Sequence, residues 1–185
     1  MAETDINLIE ELRKHSPKAQ QQMLDLYGRN IFAQVSRLVP VIENAEEVYQ
    51  DVFVKVFNHI MMYDAKKSSL KTWVSRIAYN EAISFLRKRT APVVYFEDYG
   101  DKAEALSDAE VDETFGQPNP ETVQLIRAAL KYLPPEDRAV ITMFYYEEMS
   151  LKEIAYVTES MPTTVASKLS RTRKKLYRII KMLQS

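Results

Sequence analysis

The chain of 185 residues has no cysteine, so it forms no disulfide and offers no thiolate as a nucleophile or metal ligand. Its three glycines are too few for a turn-rich, many-stranded fold or a glycine-rich phosphate loop. The two histidines are isolated, without the spacing of a zinc site. No apolar run approaches the roughly 20 residues that span a membrane, and the amino terminus lacks the apolar core of a signal peptide. These absences favour a cytoplasmic protein with no membrane insertion and no cofactor.

The net charge of −1 hides a strong asymmetry along the chain. Residues 96–121 contain nine acids and one base, a local charge of −8, which leaves +7 for the rest. The same stretch holds two of the three glycines together with Pro118 and Pro120. It predicts a mobile acidic linker over 93–120 between two helical domains, 1–92 and 121–185.

The first half predicts three main helices. Apolar residues recur at helical spacing from Leu24 to Leu38, and Pro40 ends that helix. A second helix is predicted from Asn44, its expected N-cap, and a third from about Leu70 to Arg89. The second helix carries an apolar stripe that is wider than one small core needs. That stripe consists of Val48, Val52, Phe53, Val56, Phe57 and Ile60.

The second half predicts a helix-turn-helix. After a helix from about Pro135 to Glu147, Ser150 and Glu153 form a capping box that opens a short helix ending near Thr158. A last helix follows over about 163–183. The predicted fold is all-α, with two small helical domains joined by the linker.

The last helix has an apolar face and a face that changes from hydroxyl to basic side chains. The apolar face consists of Val165, Leu169, Thr172, Leu176, Ile179 and Leu183. The outer face consists of Thr164, Ser167, Lys168, Arg171, Lys174, Lys175 and Arg178. A helix entering the major groove by its amino terminus needs this order, because short side chains permit close approach to bases while cations further along hold phosphates. The alternative is a solvated basic face on a terminal helix.

The third helix carries a second polar face. Trp73, Arg76, Asn80, Ser84 and Arg87 are spaced by three and four residues, after a loop with two lysines and two serines. An aromatic ring and an amide beside cations suit unstacked single-stranded bases. The alternative is that Trp73 is a half-buried core residue.

Together these segments resemble the extracytoplasmic-function (ECF) sigma factors, the small two-domain group of the sigma-70 family. "AEEVYQDVFVKVFNHI" (45–60) resembles region 2.2, residues 63–89 resemble regions 2.3 and 2.4, and residues 133–176 resemble region 4. The pairing of "TWVSRIAYN" with "SLKEIA" and "TVASKLSRTRKKL" carries the resemblance, because a generic helix-turn-helix regulator would match only the last two.

The resemblance implies a dissociable promoter-specificity subunit of bacterial RNA polymerase, with no catalytic residue and no metal. Its implied partners are core polymerase, through the β′ clamp and β flap, promoter DNA as duplex −35 and single-stranded −10 elements, and an anti-sigma factor. The implied clamp-docking residues are Gln50, Asp51, Phe53, Val54 and Phe57. The implied −10 residues are Tyr63, Lys66, Lys67, Ser69, Lys71, Trp73, Arg76, Asn80 and Arg87. The implied −35 residues are Thr164, Ser167, Lys168, Ser170, Arg171, Lys174 and Lys175.

The chain departs from the family pattern within the helix-turn-helix. Glu159 stands where glycine is usual, and Ser160-Met161-Pro162 replaces a small apolar turn. Phe144 occupies the position of a phosphate-contacting arginine in some members, and Ala166 lacks the long basic side chain often found there.

Three alternatives stay open. The acidic linker either occupies a basic nucleic-acid channel of the polymerase or serves only as a tether. A stand-alone helix-turn-helix regulator would bind DNA tightly without polymerase, usually as a dimer. An enzyme would need a nucleophile or metal motif, and the abundant carboxylates lie in the linker or at helix starts instead.

Overall fold

The computed structural model describes residues 3–89, 111 and 120–184, and the regular secondary structure of these residues is entirely helical. The all-α fold is therefore confirmed. Almost all of the predicted linker lies outside the described residues.

The first helical group comprises α1 to α4. Its helices are α1 (Glu3–Arg13), α2 (Pro17–Leu38), α3 (Ile42–His59) and α4 (Leu70–Arg89), with a 3-10 turn at Ile60–Met62. Helices α2, α3 and α4 pack against one another, and α1 packs against α2. The packed sides carry β-branched and small residues, and Val35, Val52, Val56, Val74 and Ala78 are fully buried.

The start of α3 differs from the sequence prediction. Val41, in extended backbone, is its N-cap, without a side-chain cap bond. The chain re-enters helix directly after Pro40, so the predicted cap, Asn44, already lies inside the first turn. The N-cap prediction was wrong.

The apolar stripe of α3 is largely used by the core. Its residues lie between α2 and α4, and an aromatic row of Phe32, Tyr49, Phe53 and Phe57 continues the packing, with ring centroids 5.6, 5.1 and 5.9 Å apart in that order. Phe53 is only 4% exposed. The prediction of a surplus stripe was therefore wrong for most of its members, because two neighbouring helices, not one, cover it.

The second helical group comprises α5 to α8. Its helices are α5 (Pro120–Leu130), α6 (Pro135–Tyr145), α7 (Leu151–Thr158) and α8 (Pro162–Gln184). Helix α8 packs against the other three. Its predicted apolar face is buried with one exception, because Leu183, in the last turn, is exposed.

The predicted capping box opens α7. The Ser150 hydroxyl accepts a hydrogen bond from the Glu153 N–H at 3.3 Å, and the Glu153 carboxylate accepts one from the Ser150 N–H at 2.9 Å. At its other end α7 stops at Glu159, whose backbone is left-handed with φ 54°. That conformation reverses the chain into α8, and it is the one that glycine adopts without steric cost.

The two helical groups pack against each other. Helix α4 contacts α7 and α6, and α2 contacts α6. Helices α4 and α2 therefore belong both to the core of the first group and to its contact with the second, and α4 meets two helices of the second group.

We expect Ser150→Ala to lower the free energy of unfolding by about 1 kcal/mol, because the first turn of α7 loses a hydrogen-bonded cap. Urea denaturation followed by circular dichroism measures this. Ser167→Ala is the matched control, since that hydroxyl lies on the exposed side of α8 and bonds only the Thr163 carbonyl of its own helix. Equal losses in both variants would contradict the capping argument.

Candidate nucleic-acid interface

A pocket of about 440 Å³ lies along α4 where the two helical groups meet. It brings together four of the predicted −10 residues, Lys67, Trp73, Arg76 and Asn80. We call it the α4 pocket; its other lining residues are Lys55, His59, Met62, Asp64, Ile77, Glu81 and Tyr156. Its volume is within the range of small-ligand sites.

Two predicted −10 residues are buried. Trp73 is 9% exposed and lines the pocket, so its interpretation as a core residue holds for most of its surface. Tyr63 is 3% exposed, its ring centroid lies 5.5 Å from that of Trp73, and its hydroxyl donates to the Ser68 carbonyl at 3.0 Å. Tyr63 therefore packs on Trp73 and bonds the loop, and its contact with the −10 element stays a prediction.

The loop before α4 presents exposed cations beside the pocket. The Lys66 N–H donates to the Asp64 carboxylate at 2.9 Å, which folds the loop, and Lys66, Lys67 and Lys71 are exposed. The Ser69 hydroxyl accepts the Thr72 N–H at 3.1 Å, so Ser69 acts as an N-cap. The loop thus gathers positive charge at the mouth of the pocket.

Acids of the second helical group lie against the first. Each carboxylate comes from the second group, and each cation or hydroxyl from the first. The contacts are Arg76 with Glu159 at 2.7 Å, Arg87 with Glu136 at 3.4 Å, Arg37 with Glu147 at 3.0 Å, and the Thr72 hydroxyl with Glu153 at 3.1 Å. Three of these contacts lie on α4, whose predicted −10 residues Arg76 and Arg87 are thereby held by carboxylates.

Two of these acids have pKa shifts of opposite sign. Burial raises the pKa of Glu147, and Arg37 and Lys71 oppose that shift only in part. Burial also acts to raise the pKa of Glu153, but the hydrogen bonds donated by Ser150 and Thr72 outweigh it and hold the pKa below its usual value. Glu153 is therefore a stable anion that links the start of α7 to α4.

The outer face of α8 has the predicted order of side chains. Thr164, Ser167, Ser170 and Arg171 are exposed, and the lysines that follow are half-buried. A groove of about 520 Å³ follows this face, lined by Lys168, Arg171, Thr172, Lys174, Lys175 and Arg178 together with Asp137 of α6.

Asp137 is a residue that the sequence prediction missed. Its carboxylate lies 3.4 Å from the Lys168 amine and 3.1 Å from that of Lys175, two of the predicted −35 residues. It stands in the first turn of α6, and nothing local in the sequence indicates that α8 packs over it.

The predicted docking surface on α3 is smaller than expected. Gln50, Asp51 and Val54 are exposed, Phe57 is half-buried, and buried Phe53 supports them from below. Met61 and Met62, in the turn that follows α3, are exposed. These two exposed methionines were not predicted, and Met62 lines the α4 pocket.

Two family models match the chain, one in each helical group. The model described as sigma-70 region 2 matches residues 23–91, which include α4 and its pocket. The model described as sigma-70, region 4 matches residues 123–176, which include the helix-turn-helix. The chain belongs to the sigma-70 family. The two matches cover about two thirds of this sigma factor.

The similar proteins are sigma factors that align with this chain over nearly its whole length. The ECF RNA polymerase sigma factor SigW of Bacillus subtilis is 26% identical, over 91% of this chain and 92% of its own. The ECF RNA polymerase sigma-E factor of Escherichia coli K12 is 27% identical, over 92% and 91%. This sigma factor is accordingly of the ECF group, a promoter-specificity subunit of bacterial RNA polymerase.

Two solved structures share the fold. The sigma factor RpoE of Bartonella quintana, solved with the anti-sigma factor NepR, aligns with a TM-score of 0.62 at 23% identity, over 87% of this chain and 96% of its own. CnrH, solved with the cytosolic domain of CnrY, aligns with a TM-score of 0.66 at 20% identity, over 95% and 96%. Within the described residues, no helix is long and apolar enough to cross a membrane.

We expect the stability that Glu153 contributes to be lost in acid. Its pKa is lowered in the folded chain, so the contribution is complete above the unfolded value of 4.5 and falls as the pH drops from there through the folded pKa. Glu153→Gln keeps a capping side chain but cannot titrate. The unfolding free energy of wild type minus that of Glu153→Gln, measured between about pH 3 and pH 7, should fall in acid.

Glu147→Gln is the matched control for this titration. Its pKa is raised, so its charge opposes folding above 4.5 and that cost disappears in acid. The difference between wild type and Glu147→Gln should therefore change in the opposite direction. A wild-type curve parallel to that of Glu153→Gln throughout would contradict the assigned hydrogen bonds.

Proposed function

We propose that this sigma factor directs RNA polymerase to a restricted set of promoters by dividing recognition between its two helical groups. The first group captures one unpaired −10 base and stabilises the melted strand, and the second reads duplex −35 DNA. The α4 pocket is the observation that supports this proposal most, because it gathers an aromatic ring, an amide and three cations, together with two carboxylates, around one cavity.

The pocket chemistry suits an extruded base. Extrusion costs a few kcal/mol, and only the right base offsets that cost through stacking and hydrogen bonds. Asn80 is exposed and offers both a donor and an acceptor, while Lys67, which lines the pocket, and its exposed neighbour Lys66 suit the phosphates of the strand. Trp73 and Tyr63 contribute rigidity from behind the pocket rather than a wide stacking surface.

The second group suits duplex DNA. The exposed hydroxyls of Thr164 and Ser167 stand at the amino-terminal end of α8, where short side chains reach base edges. Arg171 and the lysines beyond it suit phosphates, which supply most of the affinity and little of the specificity.

Docking on the polymerase completes the proposal. Gln50, Asp51, Val54 and Phe57 would contact the β′ clamp, and the second group the β flap. The polymerase supplies catalysis and metal, so the chain acts in the cytoplasm as a non-enzymatic subunit. Both solved structures named above were determined with a binding partner, which supports control of this chain by an anti-sigma factor. We retain 1–92, 93–120 and 121–185 as the domain and linker boundaries.

We expect purified core polymerase plus this protein to give discrete transcription starts on sheared genomic DNA, with a shared −35/−10 pair. Asn80→Ala and Arg171→Ala should each lower start yield about tenfold or more, because one base contact is worth roughly 1–3 kcal/mol. Mapping of 5′ ends measures this. Lys18→Ala, an exposed cation of α2 outside the predicted surfaces, should leave yields unchanged. No starts, together with tight sequence-specific binding without polymerase, would instead indicate a stand-alone regulator.

We expect Val54→Glu to weaken association with core polymerase about tenfold or more, because it places a charge in an apolar contact. Gel filtration or fluorescence anisotropy with labelled protein measures this. Val41→Glu is the matched control: both valines belong to the α3 segment and are similarly exposed, at 52% for Val41 and 57% for Val54. Equal weakening by both would contradict docking at Val54.

A further inference from the structure

We propose that Tyr156 and Glu159 act together as an intramolecular substitute for a nucleotide in the α4 pocket, holding this sigma factor in a closed form that cannot capture the −10 base. The proposal rests on the proposed function of the pocket. It assigns a role to two residues of the second helical group that lie outside the outer face of α8.

The geometry centres on the Arg76 guanidinium. It lies 4.9 Å from the centroid of the Tyr156 ring and donates a hydrogen bond of 2.7 Å to the Glu159 carboxylate. An arginine that holds a nucleotide makes the same two interactions, stacking on a flat ring and pairing with an anionic oxygen. Tyr156 also lines the α4 pocket, so its ring stands where an incoming base would need space.

The end of α7 is built to present both groups. Positions three apart lie on the same side of a helix, and Glu159 extends that side beyond the last turn. Its left-handed backbone disfavours any side chain larger than glycine. Glycine is usual here in the family that the sequence resembles, but glycine could not supply a carboxylate to Arg76. The departure from glycine therefore has a use in this chain.

Two further acids of the second helical group also contact α4. Glu153 accepts from the Thr72 hydroxyl one turn before Arg76, and Glu136 pairs with Arg87 three turns beyond it. The second helical group thus sets carboxylates along the helix side that is predicted to follow a DNA strand. Negative charge at intervals on a basic face is what a phosphate backbone supplies.

The closed form should open readily. Glu159 is 61% exposed in its side chain, so its ion pair is weak and screened by salt. The closed form and the base-bound form exclude each other, because both need the pocket at Tyr156. A partner that binds this sigma factor only when the two helical groups are separated shifts the equilibrium away from the closed form. The −10 residues are then exposed.

The chain contains a built-in reporter, because Trp73 is its only tryptophan and lines the same pocket. Glu159→Gln does not remove the Tyr156 ring that lines the pocket. Increased quenching of Trp73 by acrylamide in this variant therefore reports opening of the closed form and not the deletion of a lining side chain. We expect the quenching constant of Glu159→Gln to be about twice that of wild type, because one exposed ion pair is lost. It should rise further when Glu159→Gln is combined with Tyr156→Ala, because the cation–π contact with Arg76 is then lost as well. High salt should raise it in wild type more than in the variant.

Glu148→Gln is the matched control. Glu148 is an exposed glutamate of the same helical group, also left-handed with φ 53°, and it does not line the α4 pocket. Its quenching should equal that of wild type. At limiting protein, Glu159→Gln should also raise the yield of mapped starts with core polymerase about twofold, since more of the chain is competent.

The outcomes separate the two proposals. Unchanged Trp73 quenching in Glu159→Gln and in the double variant, with wild type giving discrete starts, would overturn the closed form and leave the proposed function standing. Equal effects of Glu148→Gln and Glu159→Gln would also overturn it. Absence of starts with wild type would overturn the proposed function and, with it, the role of Tyr156 as a nucleotide substitute.

Discussion

Helix α4 must satisfy neighbours on two sides, and the rest of the structure depends on how it does so. On one side Val74, Ala78 and Ala82 close the core against α2 and α3. On the other side Thr72, Arg76 and Arg87 meet the second helical group through polar contacts. Because one helix carries both sets, the core fixes the orientation of the side chains that are predicted to face DNA. This is how a small bundle without a large sheet can hold a recognition surface rigidly.

The contact of α4 with the core of the first group differs chemically from its contact with the second group. The core contact is largely apolar, with one buried hydrogen bond from the Gln34 amide of α2 to the Ser75 carbonyl of α4, so we expect it to depend little on salt. The contact with the second group consists largely of ion pairs and a hydroxyl–carboxylate bond, each of which water and DNA can replace. In the proposed opening, the first helical group therefore stays intact while its partner group is exchanged for nucleic acid. Burial separates the permanent interface from the replaceable one.

The sequence predicted what depends on local chemistry. The bounds of α4, the Ser150–Glu153 capping box and the order of side chains along α8 each follow from residues close together in the chain. One local prediction was wrong, because α3 begins at Ile42 and not after Asn44. The other errors concern distant neighbours. Phe53 and Tyr63 are buried because other elements cover them, and Leu183 is exposed because the last turn of α8 extends beyond its packing.

The interaction of Tyr156 with Arg76 lay beyond prediction for the same reason, since it joins residues from the two halves of the chain. Glu159 was the one visible sign. A glutamate at a position that suits glycine indicated a requirement that local backbone preference does not explain. The structure supplies the partner that the sequence could not name.

Asp137 has a consequence for how the free factor treats DNA. It pairs with both Lys168 and Lys175 and offsets one of their two positive charges, so a phosphate that binds these lysines of α8 must displace a carboxylate fixed to the protein rather than a mobile ion. Binding then gains less mixing entropy than the number of cations implies, and the tethered acid competes again as soon as the phosphate leaves. An internal counterion of this kind keeps the residence time on random duplex DNA short. A short residence time on random DNA suits a subunit that must leave one polymerase and find another.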